Sequence, residues 1–413
     1  MNRRRFIRVA GGGVVLAAST GVVTGCSSAP PPEAVAAWQG PGSEPDLRRW
    51  VLAHAILAPH SHNLQSWLID LKTPGEIVLR CDLTRLLPET DPLSRQIMMS
   101  HGTFLELLDI AARERGQRAE ITLFPQGAFA PDKVDQRPVA HVRLVADASV
   151  RSDPLFAQIL RRRTNRSAYD PARPVSAAAW QAMAQAAAGD GLGFGFVGAD
   201  SGGAGPLPSP LGAPSGGSER SERGGQPSAA VLARHRAIAN EAWRIELTTP
   251  RTVLESLNVM RVGAAEVAKH RDGLTMMDPS VVWLTRLGLF DRSKAPAPDS
   301  YATTSQLKEF AAKLESTPGF LWIVSDGNGR ETQVRAGRAY ARVQLAATAH
   351  GVAMQPLSQA LQEYPEQAGP YADIHRLLGA RTPAQTVQMW ARVGHAPEVP
   401  PAPRRGLAAQ LSA

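Results

Sequence analysis

Cysteine is close to absent from this chain, with only Cys26 and Cys81 in 413 residues. With Cys26 modified, Cys81 has no partner, so the fold must rest on an apolar core and not on disulfides. No phosphate loop and no Gly-x-Ser-x-Gly elbow occurs, which removes nucleotide hydrolase and serine esterase chemistry. His54, His60 and His62 cluster without an acidic or Cys partner at ligand spacing, so they do not read as a zinc site. A dominant charge is also missing. Lys and Arg number 45 against 37 Asp and Glu, a formal +8, and Arg3, Arg4, Arg5 and Arg8 precede a cleavage signal, leaving 8 − 4 = +4. Those charges are scattered, not striped, so a nucleic-acid partner is not expected.

What is present begins at the N-terminus. Arg3-Arg4-Arg5-Phe6-Ile7-Arg8 precedes a short, glycine-rich apolar run, Val9 to Val23, too short to span a membrane. The pattern is similar to a twin-arginine export signal, with an ordinary secretory signal as the alternative. Val23-Thr24-Gly25-Cys26 resembles a lipobox, which implies lipidation at Cys26 and removal of residues 1–25. The expected location is the periplasmic side of the cell envelope, on a membrane-anchored lipoprotein. Residues 26–45 then read as a tether.

The rest divides into 46–150, a first half, and a second half that starts at 151–197 and resumes at 301–413 with a C-terminal arm. Between them, 198–228 is Gly/Ser/Pro-rich and too poor in apolar bulk to offset its ordering entropy. Residues 229–300 follow as a helical, lid-like insertion, which could equally be an extra packing layer. Helices are expected over 46–57, 94–115, 153–163, 175–188 and 331–350. Strands are expected over 66–71, 76–81, 119–124, 139–145, 319–325 and 386–394. This is an α+β chain of two similar halves.

Three segments carry the chemistry. The first, Ala58-Pro59-His60-Ser61-His62-Asn63-Leu64-Gln65-Ser66-Trp67, lies between a helix and a strand; its amides offer both donor and acceptor. The second, Arg161-Arg162-Arg163-Thr164-Asn165-Arg166, supplies planar forks suited to phosphate. The third, Gly351 to Gln359, turns at Pro356-Leu357-Ser358 after a long helix. Taken singly, each could be a turn, a solvated helix end or a helix stop.

In this order they resemble the nitroreductase-like FMN-binding family, in its Acg-like fused-dimer branch. The resemblance implies a nitroreductase-like fold in which two fused halves form a pseudo-dimer, complete as a monomer. It implies FMN contacts from His60, Ser61, Asn63, Gln65, Arg162, Arg163, Thr164, Arg166, Pro356, Leu357, Ser358, Arg404 and Arg405. His60 and Ser66 stand where the family has Ser and Pro. His270-Arg271-Asp272-Gly273 resembles the lid motif of that branch. No side chain is expected as an obligatory acid or base, since the cofactor carries the chemistry. The implied activity is hydride transfer through flavin N5, from a donor such as NAD(P)H to a quinone-like or nitroaromatic acceptor. The alternative is a flavin-sequestering lipoprotein with little turnover. A mirror site would need an arginine block before residue 50 and an amide loop near residue 195. Neither is present, so one FMN per chain is expected.

Overall fold

A computed structural model describes residues 29–189, 191–198 and 227–412. The export signal, Cys26 and residues 199–226 of the expected insertion lie outside the described residues. The stretch expected as a tether folds from Pro32 onward: α1 (Pro32–Val35) and a 3-10 turn (Ala36–Gln39) bury Ala34 and Trp38.

Asp46 caps α2 (Leu47–Ala55), accepting from the Arg48 and Arg49 amides. Then β1 (Trp67–Asp70) and β2 (Glu76–Cys81) form a hairpin, α3 (Arg95–Glu114) follows, and β3 (Gln117–Leu123) and β4 (Pro138–Ala146) complete an antiparallel sheet ordered β1-β2-β4-β3. The helix expected over 153–163 is a single 3-10 turn, Pro154–Gln158. Arg162 is nearly fully enclosed, and a solvated helix could not turn it inward.

The second half repeats this plan: α4 (Ala177–Ala186), β5 (Leu192–Gly198), β8 (Gly319–Asp326), α10 (Arg330–Ala349), β9 (Ala353–Pro356) and β10 (Gln385–Gly394), in a sheet ordered β5-β8-β10-β9. Put β5, β8, β9 and β10 for β1, β2, β3 and β4 and the orders coincide. The sequence reading missed β5 because Gly193 and Gly195 make it look like a linker. Gly195 is required there: a Cβ would overlap the Trp322 indole on the neighbouring strand. It also missed β9 and the helix α11 (Ala368–Leu377).

Where the first half has the short Pro74-Gly75 turn, the second carries the insertion: α5 (Pro227–Thr248), α6 (Pro250–Asn258), β6 (Met260–Val262), α7 (Gly263–His270), β7 (Leu274–Met276), α8 (Pro279–Arg286) and α9 (Tyr301–Glu315). Helix α5 covers the outer face of the second sheet, where His235 stacks on Phe320 and accepts from the Trp390 indole N–H at 3.1 Å. The halves meet along α3 and α10. Arg338 and Arg342 on α10 bind Glu106 on α3 at 2.7 and 2.8 Å. No helix among the described residues is long and apolar enough to cross a membrane.

Candidate functional site

The loop from Pro59 to Ser66 is wound tightly. His62, Asn63 and Gln65 all have left-handed backbone, with φ of 47°, 55° and 55°, a conformation that costs a non-glycine residue free energy and persists only when its surroundings fix it. The surroundings do so. The Ser61 carbonyl lies 2.8 Å from His60 Nδ1, which fixes the proton there and leaves Nε2 to accept the Ser66 amide at 3.1 Å. Ser66 Oγ donates to the Arg85 carbonyl, and the Ser61 amide donates to Ser100 Oγ at 3.2 Å. His60 is therefore a bracket inside the loop, and burial holds its pKa well below the usual range.

Asn63 and Gln65 are committed to protein. Asn63 Oδ1 accepts from Arg404, and Asn63 Nδ2 donates to the Pro403 carbonyl at 3.0 Å. Gln65 is fully enclosed, accepting the Arg405 amide at 2.9 Å and donating to the Arg271 carbonyl at 2.9 Å. Gln65 thereby seats two other segments, the C-terminal arm and the His270–Gly273 segment. The C-terminal arm runs with Pro397, Glu398, Pro400 and Ala402 exposed before it turns inward. Pro403 and Arg404 are buried, and the chain ends beside β1, where Ser412 donates to the Ile69 carbonyl at 2.8 Å.

The arginine block faces the same seam. Arg162 donates to Gln344 Oε1 at 3.1 Å and to the Leu57 carbonyl of the first half at 2.8 Å. Arg163 binds only the carbonyls of Leu160 and Arg162. Thr164 Oγ1 accepts weakly from Gln344 at 3.4 Å. Arg404 reaches the Ala58 carbonyl at 3.0 Å, and Arg405 reaches the Gln65 carbonyl at 2.8 Å. Among the described residues, Arg162, Arg163, Arg166, Arg404 and Arg405 have no carboxylate within 4 Å, whereas Arg85, Arg338 and Arg342 all do. The Nε atoms of Arg162, Arg404 and Arg405 are buried donors without acceptors, and so is the Tyr340 hydroxyl. Burial pulls the Arg162 pKa down to about 10. It also holds that of Arg404 well below the usual range, with repulsion from Arg162 and Arg163 adding to it.

Arg166 makes no hydrogen bond to any described residue. Burial lowers the pKa of both Arg166 and His62, the latter to about 4 with the Arg166 charge as its second cause. Neither side chain is enclosed, however: Arg166 is exposed and His62 half-exposed. The two residues come from opposite halves, and the Arg166 charge is felt at His62. Tyr340, on α10, contributes to the electrostatics of both Arg162 and Arg166.

The turn after β9 is only partly available. Pro356 has no N–H, and the buried Leu357 donates to the Trp390 carbonyl at 2.8 Å. The Leu357 amide thus continues the β9–β10 pairing. Ser358 donates its N–H to no described residue. Met354, just before the turn, accepts the Asn165 amide at 3.0 Å, which ties the turn to the arginine block.

The insertion reaches this site through the His270–Gly273 segment. Gly273 donates to the Asn63 carbonyl at 3.1 Å, and His62 Nε2 lies 3.1 Å from Ser256 Oγ on α6. Asp272, almost fully buried, holds Arg85 at 2.5 Å and Arg261 at 2.8 Å. A separate open recess of about 520 Å3, lined by Tyr169, Arg173 and His395, contains none of the expected site residues. Trp38, Gln344 and Tyr340 were missed by sequence reading. Trp38 sits in an alanine-rich stretch resembling a tether, and the other two are single polar positions in a helix.

Fold and site together define a two-half α+β protein with a cluster of arginines at its internal interface. Over 368 residues the chain is 27% identical to a Mycobacterium tuberculosis protein named “Putative NAD(P)H nitroreductase”, covering 87% of this chain and 89% of that one. Two solved structures are also similar. One, an FMN-dependent nitroreductase from Mycobacterium smegmatis in complex with NADPH, is 17% identical, covers 61% of this chain and 94% of that one, and gives a TM-score of 0.34. The other, titled “putative nitroreductase”, from Anabaena variabilis, is 9% identical, covers 88% and 91%, and gives 0.45. No family model matches the chain.

Proposed function

We propose that this chain is an FMN-dependent oxidoreductase of nitroreductase type, reduced by a nicotinamide donor and oxidised by a quinone-like or nitroaromatic acceptor. One observation carries the reading: Arg162, Arg163, Arg166, Arg404 and Arg405 gather at the internal seam, none with a carboxylate within 4 Å among the described residues, Glu398 acting on Arg163 and Asp272 and Asp82 on Arg405 only from farther off. Unpaired buried cations are costly, and a phosphomonoester supplies the missing charge and matches the guanidinium fork. Bound FMN supplies hydride chemistry at N5. Arg162, Arg163 and Arg404 would hold its phosphate, with Thr164 beside them. Ser61, His62 and Arg166 form the accessible wall, and the unengaged Ser358 amide is the donor left in the turn. Asn63, Gln65 and Arg405 act one layer back by fixing the arm that delivers Arg404. The sequence similarity to a protein named for NAD(P)H supports the donor class.

One site per chain follows from the repeat. The counterpart of the Asn63 loop, between α4 and β5, has no Asn or Gln, and Arg48 is committed to the carbonyls of Leu71, Thr73 and Glu76. Arg3-Arg4 and Val23–Cys26 support export and lipid anchoring. In that case Cys26→Ser moves the mature chain from the membrane to the soluble fraction. A flavin-holding protein with little turnover is the second reading, favoured by the bonds that pin Gly273 and Arg271 onto the loop.

The test is the visible spectrum of the natively purified chain, with flavin released and counted, followed by anaerobic NADPH. One FMN per chain, bleached by NADPH, is expected. Bound flavin that NADPH leaves oxidised selects the storage reading. A chain that takes up no FMN overturns both.

A further inference from the structure

We infer that the outer side of α8 and the turn after it, carrying Trp283, Leu287 and Leu289, docks on the lipid surface that holds Cys26. The choice of a membrane as occupant rests on the lipid anchor proposed above, and the experiment removes the lipid so that the two fail separately.

Helix α8 is apolar on two sides. Inward, Val281 and, past the helix, Phe290 are buried in the insertion's own core, with Val282 and Leu284 packed against them. Trp283 and Leu287, four residues apart and so on one face, are nevertheless 62% and 57% exposed. Leu289, just past the turn, is 46% exposed, and Tyr301 opens α9 almost uncovered. Among the described residues these four are the exposed large hydrophobic side chains, and all lie between positions 283 and 301. Scattered exposed leucines are ordinary, but such a concentration marks a surface that meets something. The indole and phenol rings are amphipathic and suit the boundary between headgroups and acyl chains. Arg286, between Trp283 and Leu287, and Lys269 on α7 are exposed with no carboxylate within 4 Å among the described residues. Cations so placed complement anionic headgroups.

The N-terminus favours a membrane over a second copy. Helix α1 packs on α7, and α7 meets α8 where a Cβ on Gly263 would lie 3.4 Å from Val282. The segment after α1 is fixed. Trp38 donates its indole N–H to the Ala402 carbonyl at 2.8 Å, and the Arg404 amide donates to the Ala34 carbonyl at 2.8 Å. The guanidiniums of Arg162 and Arg404 also lie over the Trp38 ring, each 5.4 Å from its centroid. Cys26 precedes Pro32 by six residues. Even fully extended, that length reaches only about 20 Å, so a lipid on Cys26 enters the bilayer close to the insertion. A tether alone sets distance and leaves orientation free; an apolar face beside it sets which side meets the bilayer.

The experiment uses the mature chain, residues 26–413, carrying Cys26→Ser, with vesicles of equal parts phosphatidylcholine and phosphatidylglycerol. Without its lipid the chain should bind weakly, staying soluble on cell fractionation yet sedimenting with excess vesicles. Adding Trp283→Ala or Leu287→Asp should lower that partitioning ~10-fold with Tm unchanged, because neither side chain is in the core. Brominated phosphatidylcholine in the vesicles should quench part of the tryptophan emission, since Trp283 is exposed and the other seven tryptophans are buried or half-buried. A parent chain that does not sediment with vesicles overturns the proposal, and so do variants that sediment as it does. A dimer formed without vesicles and split by Leu287→Asp also overturns it, assigning the face to a second copy. Vesicle binding with no lipid found on Cys26 by mass spectrometry sinks the anchor and keeps the face. Should the variants fail to fold, the parent chain decides: emission unchanged by bromine overturns the docking face.

Discussion

Gly102 and Gly337 occupy matching places in the two halves, each seven residues after the first residue of a 20-residue helix, and each is pressed against the backbone of the other's helix. A Cβ on Gly102 would overlap the Val334 carbonyl; one on Gly337 would overlap the Met99 carbonyl. The helix starts match too. Arg95 crosses to the Leu361 and Gln388 carbonyls, and Arg330 crosses to those of Leu93 and Ala130. This reciprocity is what a two-fold interface shows when it is held within one chain. Gly102→Val should therefore cost about 3 kcal/mol or more, because overpacking against backbone has no rotamer to relieve it. A thermal melt within a degree or two of wild type would falsify this packing.

Arg163→Ala separates binding from folding. Its guanidinium bonds only to Leu160 and Arg162, so the stability loss should be under about 1 kcal/mol. Flavin content, however, should fall well below one per chain. Full stoichiometry retained in the variant removes Arg163 from the phosphate site.

Gln65→Ala leaves the Arg405 amide and the Arg271 carbonyl without the partner that seats them. Two partly buried groups lose their bonds, at about 1 kcal/mol or more each. The C-terminal arm should loosen as well, seen as faster protease cleavage after Arg404 or Arg405. Cleavage at the wild-type rate argues that the arm is held elsewhere.

Asp272→Asn removes the carboxylate shared by Arg85 and Arg261, a buried group whose loss typically costs about 3–5 kcal/mol. If the His270–Gly273 segment restricts access, anaerobic reduction of bound flavin by NADPH should speed up in this variant. The same rate in a folded Asp272→Asn chain assigns the segment to packing alone.

Glu246 gives a pH test. It lies almost fully buried on α5, accepts from Gln362 at 2.8 Å, and burial raises its pKa to about 7. Its folded pKa exceeds its unfolded one, so the folded state holds the proton more tightly. This stabilisation is complete below pH 4.5 and disappears as pH rises through 7. Glu246→Gln should match wild type near pH 4.5 and exceed it at pH 8, by up to about 3 kcal/mol. Equal stability of the two chains at pH 8 would show that Glu246 ionises freely.

Much of the architecture was legible because it depends on local pattern. Helix α3 and strand β2 fall where apolar spacing puts them, and Asp46 caps the helix it was expected to start. Strand β5 was hidden because Gly193 and Gly195 serve Trp322 on a neighbouring strand. At the candidate site, the sequence named the arginines and their companions but not the bonds between segments. Only the fold shows that the Gln65 side chain and the Leu357 amide bond to other segments.

By itself, the sequence determined an α+β chain of two halves, with a block of arginines and an amide-rich loop, because composition and periodicity are local properties. Tertiary structure decided that Trp38, Arg162 and Arg404, which are far apart along the chain, share one water-poor place. It also decided that no described carboxylate joins them. Charge balance is a property of a volume, and only the folded chain encloses one.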